Sequence, residues 1–167
     1  MICAAFDSDG DAAIAAVQDR LRELGVRVPK QPAHRLHITL AAVEAEPDDV
    51  APVTARLARN HAPFEITLDR VGTFARGTIL WLGPSHDEAL YALQRATVDA
   101  VGNYPAAFGE QTHPRQWVPH CTLARRTRAR NADQLRSEYE SVTVGVDALA
   151  TIVVGGRGDA ALAPLTG

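Results

Sequence analysis

The chain is short of several features that would settle its class at once. It has only 2 cysteines in 167 residues, Cys3 and Cys121, each inside an apolar run. Neither belongs to a Cys-x2-Cys pair and no His-Glu-x-x-His spacing is present, so a thiolate or helix-borne zinc site lacks its ligands and no metal is expected. The two thiols are expected to be buried and reduced. No glycine-rich stretch ends in Gly-Lys-Ser/Thr, and Gly155-Gly156-Arg157-Gly158 lacks the lysine and hydroxyl of a phosphate loop, so nothing points to nucleoside-triphosphate use or to a cofactor. Nothing reaches the ~18 consecutive apolar residues of a membrane span, and the opening residues 1–7 carry no charged leader, which leads us to expect a soluble cytoplasmic protein without a membrane partner. Strong charge is missing too: the net charge of −3 gives no global attraction to polyanions, so any such binding must come from a local basic patch.

What is present is a repeated tetrad. His37-Ile38-Thr39-Leu40 and His120-Cys121-Thr122-Leu123 both read His-apolar-Thr-Leu, half a chain length apart, and no other of the 6 histidines is followed by threonine two places on. Inside apolar runs each reads as a β-strand, whose side chains alternate between two faces. That places His37 with Thr39 on one face, and His120 with Thr122 on one face of the second strand, while Ile38, Leu40, Cys121 and Leu123 point into a core. Two imidazoles and two hydroxyls on anchored strands are suited to acid-base chemistry on a phosphate. With 46% hydrophobic residues the chain can bury a core, and residues 1–167 are expected to form one domain of two lobes, each donating one His-x-Thr strand.

Around these tetrads the pattern reads as alternating elements. A strand at about residues 2–7 leads into a helix with Ile14, Val17, Leu21 and Leu24 on one face, stopped at Gly25. Pro29 and Pro32 mark a loop before a strand from about His34 to Val43, in which Arg35 shares the parity of His37 and becomes a candidate phosphate contact. Asp48 is expected to cap a second helix, and a strand from Phe64 is expected to run toward Phe74. Thr78 to Leu82 forms a central strand, and Ser85 to Glu88 suits a capping box for a third helix. The long segment from Gly102 to Gln116 reads as a connecting loop or a substrate lid. Pro119 opens the second active strand, with Trp117 on the core parity. Five arginines then follow closely, Arg125, Arg126, Arg128, Arg130 and Arg136, and supply the local basic patch. A short helix through Leu135 and Tyr139 and apolar runs at 142–146 and 150–154 close an α+β fold with helices on the outer faces of the sheets.

Leu36-His37-Ile38-Thr39-Leu40 and Pro119-His120-Cys121-Thr122-Leu123-Ala124-Arg125 resemble the paired motifs of the two-histidine (2H) phosphoesterases. Within these the chain is similar to the LigT-like RNA 2′,3′-cyclic phosphodiesterases, also called 2′-5′ RNA ligases. The stretches from Phe64 to Phe74 and from Ile79 to Gly83 resemble the middle of that family, whereas Ala41-Ala42-Val43 departs from its usual Phe-Leu-Gly. The resemblance implies a bilobal fold of two antiparallel sheets with outer helices and a pseudo-twofold central groove. It also implies a phosphate-binding arginine at Arg125, a position that strict alternation would put on the core side with Leu123.

The activity so implied is metal-independent and cofactor-free opening of 2′,3′-cyclic phosphate ends of RNA or of cyclic nucleotides to 2′-phosphates, by a monomer. His120 would act as base on water and His37 as acid on the leaving 3′ oxygen, with the reverse order also open. Thr39 and Thr122 would hold the non-bridging oxygens, with Arg125 and Arg35 adding positive field. Two alternatives stand beside this: a 2H enzyme acting on a non-RNA cyclic phosphate or a 2′-5′ linkage, and a nucleotide- or RNA-binding module without turnover.

Overall fold

A computed structural model describes residues 1–28, 33–108 and 113–167, with the backbone alone at Arg76. The loop expected at Pro29 and Pro32 therefore lies outside the described residues. So does the stretch 109–112 of the long segment before the second tetrad.

The described residues build an α+β architecture of two antiparallel sheets and four α-helices. Strands β1 (Ile2–Phe6), β2 (His37–Ala41), β3 (Phe64–Leu68), β7 (Val142–Ile152) and β8 (Asp159–Pro164) form the larger sheet. Its backbone is β7, whose eleven residues pair with β1 along one edge and with β3 and then β8 along the other; β2 adds to β1 at the margin. The smaller sheet is β4 (Arg70–Phe74), β5 (Ile79–Gly83) and β6 (Cys121–Arg125), in that order. Helices α1 (Ser8–Glu23) and α2 (Pro47–Arg59) pack on the larger sheet, α4 (Ala129–Glu138) packs on β4, and α3 (Glu88–Ala100) lies against β2. None of these helices is long and apolar enough to cross a membrane.

Burial explains the order. Strand β1 is buried along its whole length: Ile2, Ala4 and Phe6 face the main core, and Cys3 and Ala5 face a smaller cluster with Ala148, Ala150 and Ile152. A strand covered on both faces must be central, and its apolar content meets that demand. Each fully buried Leu or Ile contributes about 1.5–3 kcal/mol, which is what fixes β2 and β6 by Ile38, Leu40 and Leu123 from behind. Both cysteines are free and buried, their thiols pushed up to about 12 by burial and hence unreactive.

Several expected boundaries move. The strand from Phe64 toward Phe74 is two strands in different sheets, divided at Asp69, whose carboxylate accepts from the Ser85 amide at 2.6 Å. The apolar run at 142–146 and the first part of that at 150–154 are one continuous strand through Gly145 and Asp147, which ends at Ile152 and leaves Val153 and Val154 outside it; the Asp7 side chain lies against the strand at Gly145. Asp7 in turn caps α1 by accepting from the Gly10 amide at 2.7 Å. Helix α2 is entered at Glu46 with Pro47 in its first turn, so Asp48 is inside the helix and not its cap. Helix α3 is capped by Asp87, which accepts from the Leu90 amide at 2.8 Å; Ser85 is engaged elsewhere. The segment after α3 is tied back to the end of β2 by Glu44 N–H to Pro105 O at 2.8 Å and Ala107 N–H to Ala42 O at 3.0 Å.

Candidate active site

Strand β2 carries His37 and Thr39, held by pairing to Ala5 and Cys3 of β1. His120 immediately precedes β6, which carries Thr122 opposite Trp81 of β5. The two strands lie against each other across the junction of the sheets, and all four side chains line one groove of about 670 Å³.

The two imidazoles are held in the same way. His37 Nδ1 donates to the carbonyl of Arg35 at 2.8 Å, and His120 Nδ1 donates to the carbonyl of Val118 at 2.8 Å. A carbonyl only accepts, so in both rings the proton sits on Nδ1 and Nε2 presents its lone pair. Behind Thr39, Cys3 Sγ donates weakly to the threonine Oγ1 at 3.8 Å, leaving the hydroxyl proton free to point outward. Phe74 meets His120 edge to face at 4.8 Å, and Trp81 lies 6.2 Å from the same ring.

Burial is the main reason both histidines titrate below their ordinary value. For His37 the positive fields of His34 and His120 push further down, against the bond to Arg35 O and the Asp159 carboxylate, which pull up. For His120 the neighbouring Arg125 adds to burial, against the Val118 carbonyl. Both are therefore neutral bases in the free protein at neutral pH. An anionic phosphate between them opposes each of these effects and favours a protonated imidazole.

Arg125 lines the groove despite sitting three residues after Thr122. The cause is a β-bulge: Trp81 pairs with Thr122 and Leu80 with Ala124, so Leu123 is an extra residue in β6. Leu123 and Ala124 are consecutively buried, and alternation restarts with Arg125 exposed on the threonine face. Arg35 goes the other way. Strand β2 begins at His37 with a bend before it, so strand parity does not reach back to Arg35. Its guanidinium pairs with Asp159 at 2.6 Å and lines a separate cavity with Asp7, Asp11 and Asp147. Arg35 is thus not a groove residue, contrary to the expectation from parity; only its backbone carbonyl serves the site, through His37.

Leu40 is skipped in the pairing of β2 with β1, as Leu123 is in that of β6 with β5, and side chains satisfy the carbonyls of both bulge residues reciprocally. Gln18 of α1 donates to Leu123 O at 3.0 Å, and Gln94 of α3 donates to Leu40 O at 3.3 Å. Leu40 and Leu123 are the fourth residues of the two tetrads, so each half of the chain braces the tetrad of the other. Trp117 adds a third tie, its Nε1–H donating to Thr39 O at 2.9 Å. The expected core role of Trp117 holds, since it is 7% exposed, yet its edge also lines the groove. Gln18→Leu is expected to strand the Leu123 carbonyl and cost about 1–3 kcal/mol, seen as a lower urea midpoint at unchanged slope. An unchanged midpoint would remove the brace from the account.

Sequence reasoning missed the apolar part of the groove. Phe74, Phe108, Val118 and Val154 line it, and the last three are 43%, 38% and 59% exposed. They come from four separate segments, so no local pattern announces them.

Comparison with known proteins follows the same lines. The model of the 2′-5′ RNA ligase superfamily matches residues 6–158. The RNA 2′,3′-cyclic phosphodiesterase of Methanothermobacter thermautotrophicus is 28% identical over 142 residues, covering 79% of this chain and 74% of that protein. Among solved structures, TT0787 of Thermus thermophilus superposes with a TM-score of 0.65 at 21% identity, over 99% of this chain and 97% of that one. E. coli LigT complexed with 3′-AMP gives 0.64 at 19% identity, over 99% and 96%. At these identities the two structures speak for the fold.

Proposed function

The chain belongs to the 2′-5′ RNA ligase superfamily of 2H phosphoesterases, and from that premise we propose that it opens 2′,3′-cyclic phosphate ends of RNA or of nucleotides, leaving a 2′-phosphate. The observation that carries this reading is the matched pair of imidazoles, fixed in one tautomer and facing one groove with their threonines. In the proposed reaction His120 Nε2 takes a proton from water as its oxygen attacks phosphorus in line with the 3′ oxygen. The P–O3′ bond breaks, and protonated His37 gives its Nε2 proton to the departing oxygen. Thr39 and Thr122 donate to the non-bridging oxygens, and Arg125 offsets the charge that builds there. The two histidines end with their protonation exchanged and reset through solvent. RNA or a cyclic nucleotide is the partner, and no metal enters any step.

The test pairs a 2′,3′-cyclic mononucleotide with an oligoribonucleotide ending in the cyclic phosphate, and locates the product phosphate by phosphorus NMR. A 2′-phosphate formed equally fast with and without chelator is expected. A 3′-phosphate, or loss of rate with chelator, would overturn the mechanism, and tight binding of 2′-AMP with no turnover would favour the non-catalytic alternative. The pH profile is a second check. Free-enzyme kcat/KM requires one neutral and one protonated histidine, and both titrate below the ordinary value of about 6.5. The bell is expected to peak on the acid side of 6.5. Arg125→Ala removes a cause of the His120 depression, so the limb set by His120 should move to higher pH.

A further inference from the structure

The arginine run after the second tetrad is used by the proposed reaction only at Arg125. Arg126, Arg128 and Arg130 are exposed as well, and among the described residues none of these four guanidinium groups has a carboxylate partner. That sets them apart from Arg136 in the same stretch, which is paired to Asp133 at 2.9 Å and donates to Val71 O. Helix α4 brings no acidic residue in its first turn to neutralise them. In a chain of net charge −3, so much unpaired positive charge in one place is a local feature and not a consequence of composition.

Its location gives it a direction. Ala75 lines the groove, and the one-turn helix Ala75–Gly77 runs from there to the start of α4. The connection is fixed: the buried Thr127 hydroxyl donates to Gly77 O at 2.6 Å, its amide to Thr78 O at 3.1 Å, and Gly77 lies close against Ala129. Between Arg125 and Thr127 the backbone passes through Arg126 at φ 59°, a left-handed conformation that costs a residue with a side chain about 1 kcal/mol or more. That turn carries the chain out of β6 at the groove and onto the outer surface, with an exposed arginine before, at and after it. A mononucleotide brings one phosphate, and the groove residues already account for it. The three further arginines match a ligand with phosphates beyond the reacting one.

Resting on the phosphodiesterase reading above, we propose that Arg126, Arg128 and Arg130 form a track for the sugar-phosphate backbone of an RNA strand whose 3′ end occupies the groove. The substrate class is then an oligonucleotide end, in preference to a free cyclic nucleotide. The track reads phosphates and so carries no base sequence information. An acidic protein is the competing occupant of such a surface, and it would leave turnover of RNA ends untouched by loss of the arginines.

The test is the triple variant Arg126→Gln, Arg128→Gln and Arg130→Gln, which leaves Arg125 in place. With the oligoribonucleotide, kcat/KM is expected to fall about tenfold or more near 0.1 M salt. Its log-log salt dependence should become shallower by about 2, since each phosphate contact on a single strand contributes about 0.7. With the cyclic mononucleotide the variant should match the parent protein. Equal loss on both substrates, or an unchanged rate and salt slope on RNA, would overturn the track. If the parent protein turns over neither substrate, the catalytic reading fails separately. Salt-dependent binding of an RNA ending in a 2′-phosphate, weakened in the triple variant, would still support the track, and equal binding by both proteins would dismiss it.

Discussion

Replacing either His37 or His120 by alanine is expected to slow opening of a 2′,3′-cyclic phosphate by about 10² to 10⁴, the range for removal of a positioned general acid or base. The loss should appear in kcat, because in the proposed reaction each imidazole acts on a proton in flight while Thr39, Thr122 and Arg125 would hold the phosphate oxygens. Removing both should cost little more than the worse single change, since a base without its acid partner leaves the same bond uncleaved. Both rings are half-buried at the groove surface, and each makes one described hydrogen bond, to its own segment. The melting temperature should therefore move little, and the circular dichroism spectrum should match the parent. A single variant that retained full turnover would end the two-histidine assignment.

The tetrads were legible because they rest on the simplest rule a strand obeys. Two-residue alternation puts His37 with Thr39 and His120 with Thr122 in one groove, with Ile38, Leu40, Cys121 and Leu123 buried behind them. The same rule failed wherever the strand was not regular. It sent Arg125 to the core, because a bulge depends on the partner strand and leaves no mark in the sequence of β6. It sent Arg35 to the groove, because the strand was carried back beyond its start at His37 and Asp159, which binds Arg35, lies 124 positions away. The break between β3 and β4 did leave a mark: alternation runs to Asp69 and fails at Arg70, a charged and exposed residue on the core parity of Ile66 and Leu68, and the two halves belong to different sheets. The glutamine braces are buried polar groups that from composition alone read as ordinary helix surface. They become meaningful once Leu40 and Leu123 are seen to be the extra, unpaired residues of bulges in β2 and β6.

Gly83→Ala is expected to slow turnover by about 10² although residue 83 touches no substrate. Gly83 ends β5, and a Cβ built on it would stand 2.2 Å from the carbonyl oxygen of Pro119, the residue that precedes His120. A relaxed carbon-oxygen contact is about 3.3 Å, so the two backbones must part by about 1 Å. Neither partner is a side chain that can swing away. The movement falls on the peptide that carries His120, and a displacement of that size at a catalytic group costs about 10² in rate. Overpacking should also lower stability by about 1–3 kcal/mol. Gly72 is constrained from the other side: its Cβ would lie 2.0 Å from Trp81 Cζ2, and Trp81 packs on Phe74 at 5.2 Å and faces His120. Two glycines thus make room for the aromatic wall and the peptide between which His120 is set. Gly102→Ala is the control, because its nearest neighbours are at 3.4 and 3.7 Å, ordinary contact. Steady-state rates and urea midpoints of the two variants separate the effects. If Gly83→Ala is stable and turns over at the parental rate, His120 is positioned by something other than its packing against β5.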